Sequence, residues 1–585
     1  MKRIRYLSLI AVLALVVAAC GGTTTDTTVD PGEGTTLPPE EPTTTTEAPS
    51  TTGPETEGGT IVIGTTDSIA NLDSADAYAV HDWEIIRNTG EALTTFVPGT
   101  TEVQPGIAES WDVSDDGTVY TFHLREGITF GDGTPLTAAD YLRHMERMLN
   151  LDGSGGVGGS LGRPYIACLT EGEADEEGNT SCEEWALAAP DDRTVEMTLT
   201  GAYAYFPALV SGAPYIPSHP SLPDDALVEI PEPPFYGVGP WILEDFTVGE
   251  ESVFVPNPHY YGEPPEIDQI IVRYFTEASQ LVAALQAGDV DIAWRSVTEP
   301  ALLDSLAGTE GIVSAEVPGG GIRYFVMNHD MEPINDLNVR KAIAALIDRD
   351  EIVDRAFGGN AEPIFSQVPP GFLGATEIFD DLYESPNADL AAELLADSGF
   401  SEDNPVELQI DYPPNRYGGV VSDAVQIVEE QLEATGLFEV ETTATEWATY
   451  LGELIGGEAY AMGFLGWFFD YPDTSNYMEP WVYSGGLGTN VTTDANEPAP
   501  GLTRPELVEM LGNAAVEADE ATREQLYIDA QEAYADDVVT IPLWLEPERV
   551  FYWDDISGDT GAEAAESLNI GPTTDFNWNV LRSSG

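Results

Sequence analysis

Apolar runs of strand length alternate with helical patterns along the chain from about residue 322 onward. The apolar runs predict buried strands at 322–328, 407–412, 438–443 and 540–545. The helical periodicity predicts helices at 339–347, 388–397, 422–435, 504–517 and 522–534. This alternation is typical of a sheet covered by helices, so this half of the chain is predicted to form an α/β lobe.

The earlier part of the chain is richer in hairpin and loop signals. Residues 60–64 predict a strand, and alternation at 118–124 follows the turn residues Asp116 and Gly117, which favours a β-hairpin. Thr137 lies three residues before Asp140, the spacing of a capping box, and predicts the start of a helix.

The charge balance is extreme, with 21 Lys and Arg residues against 103 Asp and Glu residues and a formal net charge of −82. Nucleic acid is therefore a poor partner, because binding phosphate requires clustered basic residues. The acidity indicates a solvated surface suited to high ionic strength. The 585 residues are enough for more than one hydrophobic core.

The first 19 residues have the pattern of a secretory signal peptide, with a basic start and an apolar run at 7–17. The run ends in Ala18, Ala19 and Cys20, which resembles a bacterial lipobox and implies cleavage before Cys20 and lipidation of its sulfur. An ordinary signal peptide with an incidental cysteine is the alternative. Residues 20–58 are rich in Thr, Pro and Glu and predict a disordered tether. The expected location is the outer face of the cytoplasmic membrane, with lipid as the only membrane anchor.

Two other cysteines, Cys168 and Cys182, lie on either side of an acidic loop. In an oxidising compartment such a pair favours a structural disulfide. Two free thiols, with the acidic loop gathering a cation, are the alternative.

The segment 466–473 places a single carboxylate, Asp470, at the end of an apolar run that predicts a buried strand. Trp467 and Phe469 flank it, and Pro472 blocks continuation of the strand. One interpretation is a turn aspartate that caps the backbone. The other is a negative charge in a dry aromatic pocket that binds the ammonium group of a ligand.

Several short motifs in a fixed order resemble one family along residues 60 to 550. They lie at 105–111, 116–117, 130–140, 237–241, 257–261, 288–291, 328, 339–349 and 466–473. The chain is thereby similar to the large extracytoplasmic solute-binding proteins of ABC importers, the peptide/nickel-binding family, family 5. At 237–241 this chain has Gly-Val-Gly-Pro-Trp where the family usually has Gly-Thr-Gly-Pro-Tyr.

The resemblance implies an α/β, two-lobed fold like that of periplasmic binding proteins of type II, with the ligand cleft between the lobes. Lobe I is expected to hold residues 59–320, with an extra subdomain at about 106–235, and a return segment at 541–585. Lobe II is expected at 321–540, with crossovers near 318–321 and 537–542. The implied mechanism is hinge closure around a ligand, with no bond made or broken and no cofactor. The implied partners are an ABC permease and its ATPase, and the protein is expected to be a monomer.

In the peptide-binding branch, an aspartate at the position of Asp470 pairs with the ligand's N-terminal ammonium. The resemblance then implies that Gly466, Trp467 and Phe468 offer backbone groups to the peptide, which is strand addition. Trp467 and Phe469 are expected to exclude water.

Arg416 lies near the position at which the dipeptide branch binds the terminal carboxylate, and a guanidinium suits that role through its bidentate fork. An exposed loop arginine is the alternative interpretation. Arg323 and Asn328 are weaker candidate ligand-binding residues.

Other ligands and roles remain open from the sequence. Oligosaccharide, opine or a metal chelate are alternative ligands within the family. A sugar could stack on the aromatic side chains of Trp467, Trp481, Trp83 and Tyr471. A metal site is less favoured, because the six histidines show no i,i+3 or i,i+4 pair. An enzyme is not predicted, since there is no His-Glu-x-x-His motif. A sensory receptor without transport also remains possible.

Overall fold

The computed structural model describes residues 59–583 with a number of short gaps. The gaps are 98–99, 152–156, 175–179, 296, 318, 415, 418, 457–459, 484–488, 493–496, 500–501, 555 and 558–576. The expected signal peptide, Cys20 and the tether lie outside the described residues. No helix in the part of the chain that the structure describes combines the length and the apolar character needed to cross a membrane.

Strands and helices are interleaved along the described part of the chain. The strands are β1 (Thr60–Thr65), β2 (Thr94–Phe96), β3 (Val103–Pro105), β4 (Ala108–Val113), β5 (Val119–Leu124), β6 (Cys168–Ala174), β7 (Thr180–Trp185), β8 (Leu187–Asp191), β9 (Thr194–Thr198), β10 (Trp241–Thr247), β11 (Glu251–Pro256), β12 (Gln269–Tyr274), β13 (Ile292–Trp294), β14 (Ile312–Val317), β15 (Ile322–Met327), β16 (Glu362–Pro363), β17 (Val406–Tyr412), β18 (Phe438–Ala444), β19 (Met462–Trp467), β20 (Thr540–Leu545), β21 (Glu548–Trp553), β22 (Ile556–Ser557) and β23 (Arg582–Ser583). The helices are α1 (Val80–Thr89), α2 (Ala138–Asn150), α3 (Val157–Gly162), α4 (Phe206–Leu209), α5 (Ala278–Ala287), α6 (Pro300–Ala307), α7 (Leu337–Leu346), α8 (Arg349–Phe357), α9 (Ile378–Tyr383), α10 (Ala388–Asp397), α11 (Val420–Glu433), α12 (Trp447–Gly456), α13 (Ser475–Val482), α14 (Glu506–Val516) and α15 (Glu520–Asp536).

Two large sheets define the two lobes. The sheet of lobe I has seven strands in the order β10-β11-β12-β1-β13-β21-β14. The sheet of lobe II has six strands in the order β16-β20-β15-β19-β17-β18. Helices pack on both sheets, so the predicted two-lobed α/β fold is confirmed.

The chain crosses between the lobes twice. It leaves β14 at Val317 and enters β15 at Ile322, where the first crossover was predicted. The predicted second crossover at 537–542 is wrong, because β20 pairs with β15 over its whole length and belongs to lobe II. The return to lobe I therefore lies between Leu545 and Glu548, and not at residue 541.

Residues 106–235, which are predicted to form an extra subdomain, contain a four-stranded sheet in the order β4-β5-β9-β8. The predicted hairpin joins β4 and β5, and Gly117 adopts the positive φ of 72° that its turn requires. A second hairpin, β6–β7, carries a disulfide bond between Cys168 and Cys182, whose Cα atoms are 5.7 Å apart.

The central strands of lobe II are buried on both faces, which explains their continuous apolar sequence. In β15, Phe325 and Met327 belong to one hydrophobic core, whereas Tyr324 and Val326 belong to the core on the opposite face. Burial on both faces identifies β15 as an interior strand of the sheet.

Local end signals mark where helices begin and end, and the start of α2 is the predicted one. The Thr137 side chain accepts from the Asp140 N–H, and the Asp140 carboxylate accepts from the Thr137 N–H, which completes a capping box at the start of α2. Gly288 ends α5 in the left-handed conformation, with φ 75°.

The two lobes contact each other along a seam outside the crossovers. The Ala204 N–H of lobe I donates to the Ala515 carbonyl of lobe II over 2.7 Å. Tyr205 of lobe I stacks on Tyr471 of lobe II with ring centroids 5.4 Å apart. The described lobes are therefore in a closed arrangement.

Candidate functional site

The strand ends of lobe II that face the crossovers gather most of the predicted site residues. Strands β17 and β19 are parallel, so their carboxyl ends meet at one edge of the sheet. The first residue of β15, Ile322, pairs with Trp467 at the end of β19, and the crossover leads into that same edge. In open α/β sheets, ligands bind outside the carboxyl ends of the strands, so this edge is the candidate site.

Asp470 is buried, with 8% of its surface exposed. Its Oδ1 accepts from the Tyr78 hydroxyl over 2.6 Å, and its Oδ2 accepts from Asn476 Nδ2 over 3.3 Å. Burial raises the pKa of Asp470 to about 6, although both hydrogen bonds act to lower it. Among the described residues, no cation pairs with Asp470, whereas nearby Asp473 forms an ion pair with Arg523.

The rings beside Asp470 make the surroundings apolar. Trp467 packs edge-on against Trp481, with ring centroids 5.3 Å apart. Phe469 packs against Phe372 at 5.3 Å and Tyr477 at 6.2 Å. Trp467 and Phe469 are both buried, so the carboxylate lies next to surfaces from which water is excluded.

Arg323 lies at the same edge, but its charge already has partners. Its Nη2 is 3.4 Å from Glu546 Oε1, and its guanidinium lies over Tyr417 at 4.9 Å and over Phe468 at 5.8 Å. Position 466 has no room for a side chain, because a Cβ there would lie 2.9 Å from Tyr417 Cε1 and 3.1 Å from Arg323. Gly466 therefore permits this stack to form.

Arg416 is exposed and stacks on Trp447, with its guanidinium carbon 5.0 Å from the ring centroid. It makes no hydrogen bond or ion pair with any residue that the structure describes. It borders a cavity of about 400 Å³. The cavity is lined by Pro413, Pro414, Arg416, Glu446 and Trp447. Because no described carboxylate pairs with it, this guanidinium is suited to binding an anionic group.

The structure does not bring Asn328 to this group. Asn328 follows the opposite end of β15, six residues from Ile322, which corresponds to about 20 Å along a strand. Its N–H donates to the Ala461 carbonyl, and its Oδ1 accepts from Asn490 over 2.9 Å. These contacts hold a loop at the far edge of the sheet.

Sequence reasoning missed Tyr78, Asn476 and Trp447. Asn476 Oδ1 accepts from both the Asp470 N–H and the Trp467 indole N–H, over 2.9 and 3.1 Å, and so fixes the turn after β19. An Asn near the start of a helix, six residues after a strand-end Asp, was a local signal for this contact. No local pattern pointed to Tyr78, whose partner is 392 residues away.

Metal binding finds no support in the described ranges, where no group of three or more His, Cys, Asp or Glu side chains is arranged to hold an ion. The candidate site instead combines a buried carboxylate, an exposed guanidinium and aromatic surfaces. This arrangement suits a ligand that has separate cationic and anionic groups.

Comparison with known sequences gives one family over most of the chain. Residues 102–489 match the family described as "Bacterial extracellular solute-binding proteins, family 5 Middle". The dipeptide-binding protein DppE of Bacillus subtilis (strain 168) is 27% identical over 474 residues, which cover 79% of this chain and 82% of that protein. The probable deoxycholate-binding periplasmic protein YgiS of Escherichia coli (strain K12) is 26% identical over 477 residues, which cover 79% and 84%.

Solved structures share the fold. The ABC transporter-associated periplasmic binding protein DppA from Helicobacter pylori, in complex with the peptide STSA, superposes with a TM-score of 0.69 at 22% identity. The match covers 90% of this chain and 98% of that chain. The similar proteins differ in the ligand that their names state, so the ligand of this chain has to be argued from its own residues.

Proposed function

The chain belongs to the bacterial extracellular solute-binding proteins of family 5, and from that premise we propose that it captures short peptides between its lobes for an ABC importer. Closure of the hinge would hold the peptide, and a membrane permease with its ATPase would receive it. Lipid on Cys20 would keep the protein at the outer face of the membrane, with residues 20–58 as the tether.

The observation that carries the proposal is the Asp470 carboxylate, buried at the junction of the lobes without a cation among the described residues. Burying an ionised carboxylate without a compensating charge is costly. A peptide's N-terminal ammonium would supply that charge. A charge-assisted hydrogen bond of this kind contributes about 1.5–3 kcal/mol.

Arg416 supports a peptide that has a free carboxylate. Its guanidinium borders the cavity at the end of β17, next to Tyr417, which contacts Arg323 and position 466. An ammonium at Asp470 and a carboxylate at Arg416 would place both peptide termini along the same edge of lobe II. The backbone of residues 466–468 would run beside the peptide and pair with its main chain.

The proposal is tested with alanine peptides of two to five residues, each prepared with a free amine and with an N-acetyl cap. Isothermal titration calorimetry should show that the wild-type protein prefers the free amines. Asp470→Asn should weaken binding of the free-amine peptides about 30-fold or more, because the ammonium loses its charged partner.

Asp537→Asn is the matched control. Asp537 is a buried carboxylate of lobe II near the start of β20, at the opposite edge of the sheet, and it accepts from the Thr503 and Arg504 N–H groups. Its substitution should change stability and leave peptide affinity within about twofold. Native mass spectrometry of the purified protein provides an independent check, and a co-purified hexose ladder or metal would contradict the proposal.

A further inference from the structure

One hydrogen bond between the lobes is accepted by Asp470, the carboxylate proposed to bind the ammonium of the peptide. Tyr78 lies between β1 and α1 of lobe I, and Asp470 follows β19 of lobe II. The Tyr78 hydroxyl donates to Asp470 Oδ1 over 2.6 Å. Because different sheets hold the two residues, separation of the lobes breaks this bond.

Contacts within lobe I hold the Tyr78 ring in place. It packs edge-on against Trp83, with centroids 5.5 Å apart and an interplanar angle of 82°. The Trp83 indole N–H donates to the Ala77 carbonyl over 2.7 Å, and Trp83 lies in the buried face of α1. The hydroxyl is therefore positioned by lobe I itself, and Asp470 meets it on closure.

Asp470 and Tyr78 retain capacity for further donors. A carboxylate offers about four acceptor positions, and a phenol that donates its proton keeps acceptor lone pairs. Among the described residues, the donors to the Asp470 side chain are the neutral groups of Tyr78 and Asn476. The Tyr78 hydroxyl of lobe I and the Asp470 carboxylate of lobe II thus offer hydrogen-bond acceptors side by side.

We infer that Tyr78 is the lobe I half of the ammonium site, accepting one N–H of the ligand while it donates its own proton to Asp470. This inference rests on the proposed function, because it assigns the ammonium to Asp470. A primary ammonium carries three N–H donors and can satisfy both residues. Recognition of the amine then requires closed lobes, and Tyr78 determines specificity for an unmodified N-terminus.

Tyr78→Phe tests the inference, since it removes the hydroxyl and keeps the ring that packs on Trp83. The variant should bind free-amine alanine peptides about 10- to 100-fold more weakly. Its affinity for the N-acetyl peptides, measured by competition, should stay within about twofold of wild type. The preference for a free amine should therefore shrink.

Tyr205→Phe is the matched control, because Tyr205 also directs its hydroxyl across the lobes, 3.4 Å from Glu479 Oε2, without contacting the Asp470 side chain. It should shift the affinities for free-amine and acetylated peptides by the same factor. If Tyr78→Phe does the same, Tyr78 is only a closure contact and the inference is wrong.

A change in the ligand tests the same point without a protein variant. An N,N-dimethyl peptide keeps the positive charge but has a single N–H donor, which cannot serve both Asp470 and Tyr78, so the wild-type protein should bind it about tenfold more weakly than the parent peptide. Equal binding would overturn the inference while leaving the proposed function intact. Absence of any free-amine preference in the wild-type protein would instead overturn the proposed function, and the inference with it.

Discussion

Asp73 and Arg147 form a bidentate ion pair inside lobe I, with N–O distances of 2.6 and 2.5 Å and both side chains fully buried. Asp73 also accepts from the Val228 N–H over 2.9 Å. Asp73→Ala would leave a guanidinium buried without its charged partner. We expect the free energy of unfolding to fall by about 3–5 kcal/mol, measured by urea denaturation and circular dichroism.

The exposed pair of Arg193 and Glu109 provides the control, since its side chains are 45% and 50% exposed. Arg193→Ala should cost less than about 1 kcal/mol, because water screens the pair. Equal losses in the two variants would show that burial does not govern the contribution of these pairs.

Gly466 gives a second prediction at the scale of a single residue. In Gly466→Ala the new methyl group would press on Tyr417 and Arg323, so the free energy of unfolding should fall by about 1–3 kcal/mol. Peptide affinity should fall as well, because the edge of the site must shift. Gly512→Ala is the comparison, since among the described residues its Cβ would meet only Tyr483 Oη, at 3.9 Å. That helical substitution should stabilise the protein by about 0.5–1 kcal/mol in the same urea assay.

The sequence predicts that Asp470 follows the end of a buried strand, but it does not predict which residues contact its carboxylate. An apolar run followed by Pro472 indicates a strand end, and β19 does end at Trp467. The contacts to Tyr78 cannot be predicted in this way, because they depend on how two sheets meet. Arg323 is a second example. An arginine in the sequence suggests a site for an anionic ligand, but in the fold Glu546 already lies beside its guanidinium.

At the scale of elements, the hairpin β6–β7 provides a prediction that is independent of the cleft. The bond between Cys168 and Cys182 closes a loop with a sequence separation of 14 residues. The double variant Cys168→Ser and Cys182→Ser should lose about 3 kcal/mol of stability, because its unfolded chain is less constrained. Peptide affinity should remain unchanged, and a large loss of affinity would show that the hairpin contributes to binding. Thermal unfolding and calorimetry on the same samples measure both effects.

Local patterns predict most elements of lobe II, and α10 and β20 have the predicted bounds. The predictions lack α8, although Asp348 caps its first turn by accepting from the Glu351 N–H. They also assign part of β20 to the wrong lobe. The apolar sequence of β20 indicates that the strand is buried, but it does not indicate to which sheet the strand belongs. That depends on strand pairing, here of Thr540 with Val326 and of Leu545 with Ile322.

For the whole molecule, the seam between the lobes makes closure sensitive to pH. Glu479 of lobe II lies at this seam, where burial raises the pKa of its carboxyl from 4.5 to about 8. The charged or titratable groups that face it are Asp473, Arg523, Tyr165, Tyr205, Tyr471, Tyr483 and Tyr527. The closed form therefore favours a protonated Glu479, and separation of the lobes would expose the carboxyl to water.

The sign of the effect follows from this difference in pKa. Below pH 4.5 the carboxyl is protonated whether the lobes are open or closed, so closure is independent of pH. Between pH 4.5 and about 8, closure takes up a proton and becomes less favourable as pH rises, by up to tenfold per unit. Above pH 8 the closed form also loses the proton, and the dependence ends. Asp470, whose pKa is raised to about 6, must ionise to bind an ammonium and so opposes the trend near pH 6.

We therefore expect peptide affinity in the wild-type protein to decline between pH 6.5 and 8, measured by calorimetry in matched buffers. In Glu479→Gln the side chain stays neutral at every pH, so this decline should disappear. The amino group of the peptide titrates near pH 8, but it affects both proteins alike, so the difference between them isolates Glu479. A variant whose affinity declines as steeply as that of the wild type would mean that Glu479 has the same protonation state in open and closed lobes. In that case the seam would contribute to closure by packing alone, through contacts such as the stack of Tyr205 on Tyr471.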